Sequence, residues 1–396
     1  MPSIKVLSVV GARPNFMKVA PLHRAFTRRG DVDSRIVHTG QHYDARMSDV
    51  FFRQLGLPQP HHYLGVGGGS HAVATANVMT AFEPVLREED PTVVLVVGDV
   101  NSTIACALVA AKLHYPIVHV EAGLRSGDRS MPEEINRVCT DAISDHLFVT
   151  EQSGMVNLAR EGVPEARTHF VGHVMIDSLR HYLRQTDGID VAAMLTENAV
   201  ADQALPPTLP REGFVLSTMH RPSNVDHAAG LEAIAEIFDR IADHRPIVFP
   251  IHPRTRRNAT REGLLQRWLD DPRLILTEPL GYLQFVSLLR SCKAVVTDSG
   301  GIQEETTYLR KPCFTFRDST ERPVTVTLGT NVLMPSLDPD RVLAHYEAFE
   351  AGQLKTGVIP PLWDGHASER IAEILHRAYA KTGETETATS PLAAAR

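Results

Sequence analysis

The 396-residue chain reads as an α/β protein with two doubly wound domains, each a parallel sheet with helices on both faces. Three observations predict this. Short runs rich in Val, Ile and Leu, among them 4–10, 93–97, 116–120, 213–218, 246–250 and 294–297, are mainly apolar and suit strands buried on both faces. Each is followed by a loop and a helical pattern, so strand and helix alternate through both halves. Between 183 and 211 the pattern loosens into QTDG, ENAVADQ and PPTLP, and there the boundary between the halves is expected. The length fits roughly two to three domains at about 150 residues each, and no short solenoid repeat is present.

Composition narrows the class. Hydrophobic residues make up 43% and charged residues 22%, ordinary for a soluble enzyme-sized chain. A net charge of −7 argues against a nonspecific nucleic-acid binder but leaves room for a local phosphate site. Cys106, Cys139, Cys292 and Cys313 share no metal-ligand spacing and sit in apolar or helical contexts. They are expected to be buried reduced thiols in a cytoplasmic protein, with no metal. The opening MPSIKVLSVVGARP has too short an apolar run for a signal peptide or a membrane span.

In order, strand 4–10 stops at Gly11, and GARPNFMK turns into a helix through 25 with Arg13 and Lys18 near its start, an arrangement suited to an anion. Strand 34–38 precedes TGQHYD and a helix with Met47, Phe51 and Phe52 on its apolar face. GVGGGSH at 65–71 lacks the Lys-Ser/Thr of a phosphate-binding loop and follows no clear strand, so a loop is expected there. Strand 93–97 ends in Gly98-Asp99 and precedes a helix over 101–112; strand 116–120 delivers Glu121. Carboxylates leaving strand C-termini of an open α/β sheet point to its ligand crevice, and two of them there are costly without a role. Pro132, Glu133 and Glu134 then suit a helix N-terminus, whose free N–H groups favour negative charge. The bland reading is that both acids only cap that helix.

Strands at 146–150 and 169–171 complete the first half. In the second, strands at 213–218, 246–250, 274–277, 294–297 and 312–316 are each followed by a polar loop. His220 and Arg221 follow the first, and His252 and Arg254 the next. DSGGIQEE (298–305) follows 294–297, and DSTERP (318–323) follows 312–316. The Gly300-Gly301 pair lets backbone N–H groups approach a diphosphate, Ser299 adds a donor, and a carboxylate one helical turn on, Glu304 or Glu305, can accept ribose hydroxyls. A lone loop histidine is more often structural than functional, so His220 gains weight only from the loops around it. A helix at 368–380 and a disordered tail over 381–396 are expected at the end.

GARPNFMKVAPL, TGQHYD, GDVNST, HVEAGLRSGD, MPEEINR, His220-Arg221, DSGGIQEE and DSTERP together resemble the non-hydrolysing UDP-N-acetylglucosamine 2-epimerases, in order from residue 4 to about 335. DGHASERI at 364–371 also looks like that family's last helix. The resemblance implies a GT-B architecture of two Rossmann-like domains facing a central cleft. Residues 1–185 would carry the sugar-side carboxylates, 186–211 a linker and 212–363 the UDP site; 364–380 would pack back on the first domain. It also implies a homodimer with no required NAD or metal. The activity would be reversible conversion of UDP-GlcNAc to UDP-ManNAc, by elimination of UDP to 2-acetamidoglucal and re-addition.

On this chain the resemblance assigns Asp99, Glu121 and Glu133 as acid/base carboxylates and His220 to the diphosphate or its protons. It assigns Arg13, Lys18, Arg137, His252 and Arg322 to substrate, Ser299, Gly300 and Gly301 to the diphosphate, Glu305 to the ribose and Phe285 to the uracil. The sequence departs from the family in two places. Gln41 and His42 of a QH…M allosteric motif are present, but Met47 lies further along and LGVGGGSH offers no Arg, so an incomplete second site is expected. The loop from Asp128 to Pro132 is also shorter than in some members. Three rival readings keep the same UDP-sugar site: a GT-B glycosyltransferase, a hydrolysing epimerase releasing ManNAc and UDP, and a non-catalytic sensor. The same motifs would also serve a modified or diacetamido UDP-sugar.

Overall fold

The computed structural model describes residues 4–40, 52 and 55–380. Its strands are β1 (Ile4–Val10), β2 (Val32–His38), β3 (His62–Tyr63), β4 (Val93–Val97), β5 (Ile117–Ala122), β6 (His146–Val149), β7 (Thr168–Phe170), β8 (Val215–Thr218), β9 (Ile247–Pro250), β10 (Leu274–Thr277), β11 (Ala294–Thr297), β12 (Cys313–Phe316) and β13 (Asn331–Met334). They form two sheets, ordered β3-β2-β1-β4-β5-β6-β7 and β10-β9-β8-β11-β12-β13. The pairings are parallel, as expected for strands joined by helical crossovers. In both sheets the order reverses beside the first strand, the doubly wound pattern that opens a crevice at the strand C-termini.

Why these runs form buried strands is clearest in the second sheet. Val215, Ile247, Phe249, Leu274, Leu276, Ala294, Val296 and Phe314 pack into one core. Their chain neighbours Phe214, Leu216, Val248, Ile275, Val295 and Cys313 pack into another. Successive side chains point to opposite faces, so a strand covered on both must be apolar at every position. The longest helix in this half, Ala228–Ala242, places Leu231, Ile234, Ala235, Phe238 and Ile241 in the first of these cores at helical spacing.

The chain clusters into two compact units. One holds the described residues of 4–120 with 143–145 and 368–380; the other holds 121–142 and 146–367. In the first, the C-terminal helix Ala367–Tyr379 presents Glu373 to Arg29 at 2.7 Å and His376 to Asp31 at 2.7 Å. In the second, the buried Trp363 donates through Nε1 to the Thr150 carbonyl at 2.9 Å.

Several expectations change. The stretch expected as an irregular linker contains a helix, Val191–Asn198, N-capped by Asp190. Val191, Met194 and Leu195 fill the second-sheet core at the spacing of one helix face. The two-residue β3 and the strand β13 were not read, β3 being too short to carry a pattern. Cys139 is exposed, whereas Cys106, Cys292 and Cys313 are buried and all four thiols are free. The helix Pro132–Ile143 buries Glu134, Asn136, Arg137, Thr140 and Asp141, a polar face, and so turns Ile135, Val138 and Cys139 outward. The loop expected at 65–71 lasts until Ser70 caps the helix His71–Glu89. Gln41, His42, Met47, Phe51 and the tail 381–396 lie outside the described residues.

Candidate functional site

The second unit builds its site at the point where its sheet reverses, between β8 and β11. Thr218 and Thr297 at the ends of these strands share a hydroxyl hydrogen bond of 2.6 Å. Beyond them Asp298, fully buried, accepts from the backbone N–H groups of His220 (2.9 Å) and Arg221 (2.8 Å) and from Asn224 Nδ2 (3.2 Å). His220 Nδ1 lies 3.0 Å from Asp298 Oδ1. Burial would raise the Asp298 pKa, but His220 and these N–H donors outweigh it and hold the carboxyl below its ordinary value. A charged Asp298 therefore fixes the His220 ring, leaving Nε2 turned away from it.

His252 caps the helix Pro253–Arg261 by accepting the Arg254 N–H on Nδ1 at 3.1 Å, and its ring centroid lies 5.4 Å from that of His220. Burial, then the His220 and Arg254 charges, lower its pKa against the opposing pull of Asp298. Ser299 is anchored by its N–H on Thr297 Oγ1 at 2.9 Å. At Gly300 a Cβ would stand 2.7 Å from Arg317 Nη1, whereas at Gly301 it would meet open space. Gly301 caps the helix Ile302–Leu309. Phe285 is partly buried and packs against the second-sheet core.

Inside that helix the two acids diverge. Glu305 accepts the Tyr282 hydroxyl at 2.7 Å, and burial pushes its pKa up to about 7 against the opposing pull of Tyr282 and His173. Glu304 accepts from His173 Nε2 at 2.9 Å and pairs with Arg322 Nε. His173 Nδ1 accepts the Met175 N–H at 3.5 Å, so in the neutral ring the proton sits on Nε2, facing Glu304. Arg322 joins three carboxylates: Glu304, Glu321 at 2.9 Å and Glu121 at 3.5 Å.

Glu121 is buried at the end of β5 with φ +69°, the left-handed region that a non-glycine residue rarely occupies. Such strain costs about 1–3 kcal/mol and persists where the surroundings dictate it. The sequence placed Glu121 just past its strand; it is instead the penultimate residue of β5, and the backbone turns there to aim the carboxylate at Arg322 and His173, whose Nε2 lies 3.8 Å away.

Glu133 and Glu134 separate as well. Glu134 is buried and accepts from Ser126 N (2.8 Å), Ser126 Oγ (2.9 Å), Gly127 N (3.1 Å) and Arg137 Nη1 (3.1 Å). Burial opposes ionisation, but those donors hold its pKa below the ordinary value. Glu134 is the structural acid that folds the loop after Glu121. Glu133 is half-buried, and no partner of its carboxylate is found among the described residues. Arg137 is buried, with Nη2 3.8 Å from Glu321.

In the first unit, Arg13 opens the helix Arg13–Arg29 and Lys18 is buried within it. Asn15 accepts from the N–H groups of Gly11 (3.1 Å) and Ala12 (2.9 Å) and donates to the Val97 carbonyl at 3.1 Å, locking the β1 turn to β4 at that sheet's reversal point. Gly11 is required there, since a Cβ would stand 2.4 Å from Ser102 Oγ. Asp99 follows β4 and is half-buried.

Asp298, His173, Glu321 and Tyr282 are not among the site residues read from sequence, and Glu304, read there as an alternative ribose acceptor, faces His173 and Arg322 instead. Asp298 and Glu321 lie inside the motifs DSGGIQEE and DSTERP, and His173 stands just past a strand end, which is the available signal. Glu121, His173 and Glu304 bring three ligand atoms within 4.8 Å of one another, enough for a metal. The donor set argues otherwise: His173 presents its N–H to Glu304, and Arg322 already supplies the positive charge between the carboxylates.

A family model described as UDP-N-acetylglucosamine 2-epimerase matches residues 24–376. The chain belongs to this family. It is 38% identical over 374 residues to the UDP-N-acetylglucosamine 2-epimerase of Methanocaldococcus jannaschii, covering 94% of this chain and 99% of the relative. It is 40% identical over 381 residues to the UDP-2,3-diacetamido-2,3-dideoxy-D-glucuronate 2-epimerase of Pseudomonas aeruginosa, with the same coverage of 94% and 99%. Among solved structures, the M. jannaschii enzyme in complex with UDP-GlcNAc and UDP is similar at a TM-score of 0.80 and 37% identity, over 94% of this chain and 100% of that one. A Listeria monocytogenes protein of known structure reaches 0.82 at 28% identity over 98% and 100%. The family is thus the one the motifs resemble, and its GT-B fold accords with two parallel sheets wound by helices. No described helix is long and apolar enough to cross a membrane.

Proposed function

We propose that the protein interconverts UDP-GlcNAc and UDP-ManNAc without net hydrolysis. The observation that carries this reading is the strained, buried Glu121 at a strand end of a family member, set against Arg322, which also pairs with Glu304 of the helix that follows the Ser299–Gly301 turn. The C2 proton of the sugar is not adjacent to a carbonyl, so a side chain cannot remove it unaided. Departure of UDP makes C1 cation-like and acidifies C2–H, which calls for a base and an anion-stabilising pocket together.

In elimination, a carboxylate takes the C2 proton, the C1–O bond to the diphosphate breaks with its electrons going to UDP, and a C1=C2 double bond forms. Re-addition reverses these steps with the proton delivered to the other face. Asp99, Glu121 and Glu133 are the proposed acid/base carboxylates. His220, His252, Ser299, Gly300, Gly301 and Arg322 are the proposed diphosphate groups, Glu305 the ribose acceptor and Phe285 the uracil contact. Arg13, Lys18 and Arg137 complete the proposed substrate set. A homodimer in the cytoplasm, feeding cell-surface polysaccharide synthesis, belongs to the same proposal.

A second reading, the same chemistry on UDP-2,3-diacetamido-2,3-dideoxy-glucuronate, is favoured by the 40% identity to the P. aeruginosa enzyme named for that sugar. Proton NMR in deuterated water with either UDP-sugar decides between them. The proposal expects UDP-ManNAc to appear from UDP-GlcNAc with deuterium at C2 in both epimers. Turnover of the diacetamido glucuronate alone would install the second reading, and free ManNAc with UDP would make the enzyme a hydrolysing one.

A further inference from the structure

Arg317 has no part in the chemistry described so far. Its side chain is only 8% exposed, and its nearest carboxylate, Glu321, stands 3.6 Å from Nη1, beyond hydrogen-bond contact. Asp298 is also near enough to act on it, but its oxygens are already taken by His220, Arg221 and Asn224. The remaining charges it feels, Arg221 and Arg137, are like its own, and burial followed by their repulsion lowers its pKa. Glu321 in turn is shared by Arg322 at 2.9 Å, Arg317 at 3.6 Å and Arg137 at 3.8 Å. Arg322 is also paired with Glu304 and Glu121, and Arg137 with Glu134, so of the three guanidiniums Arg317 is the one without a hydrogen-bonded carboxylate. A buried guanidinium is costly without a close counter-ion, so Arg317 is fitted to an anion. The guanidinium also lies where a Cβ of Gly300 would be, 2.7 Å from Nη1, directly against the turn Ser299–Gly301 that opens the eight-residue helix Ile302–Leu309.

We propose that Arg317 binds the diphosphate of the substrate, with Glu321 as the resting counter-ion that gives it up when phosphate oxygens arrive beside Ser299 and Gly300. The inference rests on the UDP-sugar reading of the site. Glu321 is the carboxylate nearest Arg317; the diphosphate, carrying more charge and several acceptor oxygens, displaces it. The same contact strengthens as the C1–O bond breaks and charge gathers on the leaving diphosphate, so Arg317 serves turnover as well as binding.

The experiment is calorimetric titration of the full chain with UDP and, separately, with uridine, which keeps the base and ribose contacts but lacks phosphate. Arg317→Gln should weaken UDP by about 10- to 100-fold and leave uridine within about threefold. Arg317→Lys should recover part of the loss. Glu321→Gln, which removes the competing carboxylate, should keep UDP affinity undiminished. Unchanged UDP affinity in Arg317→Gln overturns the inference, as does a matching loss of both ligands in Arg317→Gln and Glu321→Gln, the mark of a structural pair. Should circular dichroism show Arg317→Gln unfolded, Gly300→Ala takes its place, since its Cβ displaces the guanidinium; an unaltered ratio of UDP to uridine affinity there is equally fatal. Wild-type protein that binds neither ligand would instead bring down the UDP-sugar reading itself.

Discussion

Replacing Glu305 by Gln isolates the energetic cost of the carboxyl placed one turn into the helix Ile302–Leu309. The side chain is 5% exposed, accepts the Tyr282 hydroxyl, and has its pKa moved from 4.5 to about 7 by burial. A folded pKa raised above the unfolded one gives stability that is complete below about pH 4.5 and lost as pH rises through about 7. That gap corresponds to about 3 kcal/mol. Relative to Glu305→Gln, which keeps an acceptor for Tyr282 and never ionises, wild-type folding free energy should fall by about 3 kcal/mol between about pH 5 and about pH 8. Urea unfolding of both proteins across this range reads the difference directly, because every other titrating group is common to both. A ribose donating two hydroxyls to Glu305 favours its ionised form, so UDP binding below about pH 7 should release up to one proton. Titration in buffers of different ionisation heat measures that release, and the variant should lack it. Parallel stability profiles would refute the burial argument; equal proton release would refute the ribose role.

Two further outcomes follow from the site. Asp99→Asn, Glu121→Gln and Glu133→Gln should each cut turnover by at least about a hundredfold while UDP affinity stays near wild type in calorimetry; retained activity in all three would dismantle the carboxylate assignment. Because Glu121 sits at φ +69°, Glu121→Gly should unfold at higher denaturant than Glu121→Ala by about 1 kcal/mol, both inactive, and an Ala variant as stable as Gly would mean the turn carries no strain.

The motifs placed the loops but not the division of labour within them. Glu133 and Glu134 are adjacent and chemically equivalent in the sequence, yet Glu134 gathers Ser126, Gly127 and Arg137 while Glu133 is left half-buried. The one-residue step turns them to different sides of the helix, and only the fold says which side meets the loop. Glu304 and Glu305 repeat the case, one facing His173 and Arg322 and the other Tyr282. His173 went unread because a histidine after a short strand looks ordinary until the chain brings Glu121 and Glu304 to it. Cys139 was misjudged for the reverse reason: an apolar helical position is normally inward, but here the inward face is the polar one.

Sequence by itself determined the architecture, because a strand covered on both faces must be apolar at every position and a parallel crossover needs a helix. It also determined the family, since motifs at strand ends keep their order whatever the loops between them do. Tertiary structure decided which carboxylates are held by several donors and which guanidiniums share Glu321. Those are properties of groups far apart in the chain, and their protonation and pairing depend on burial and on neighbours that only folding supplies.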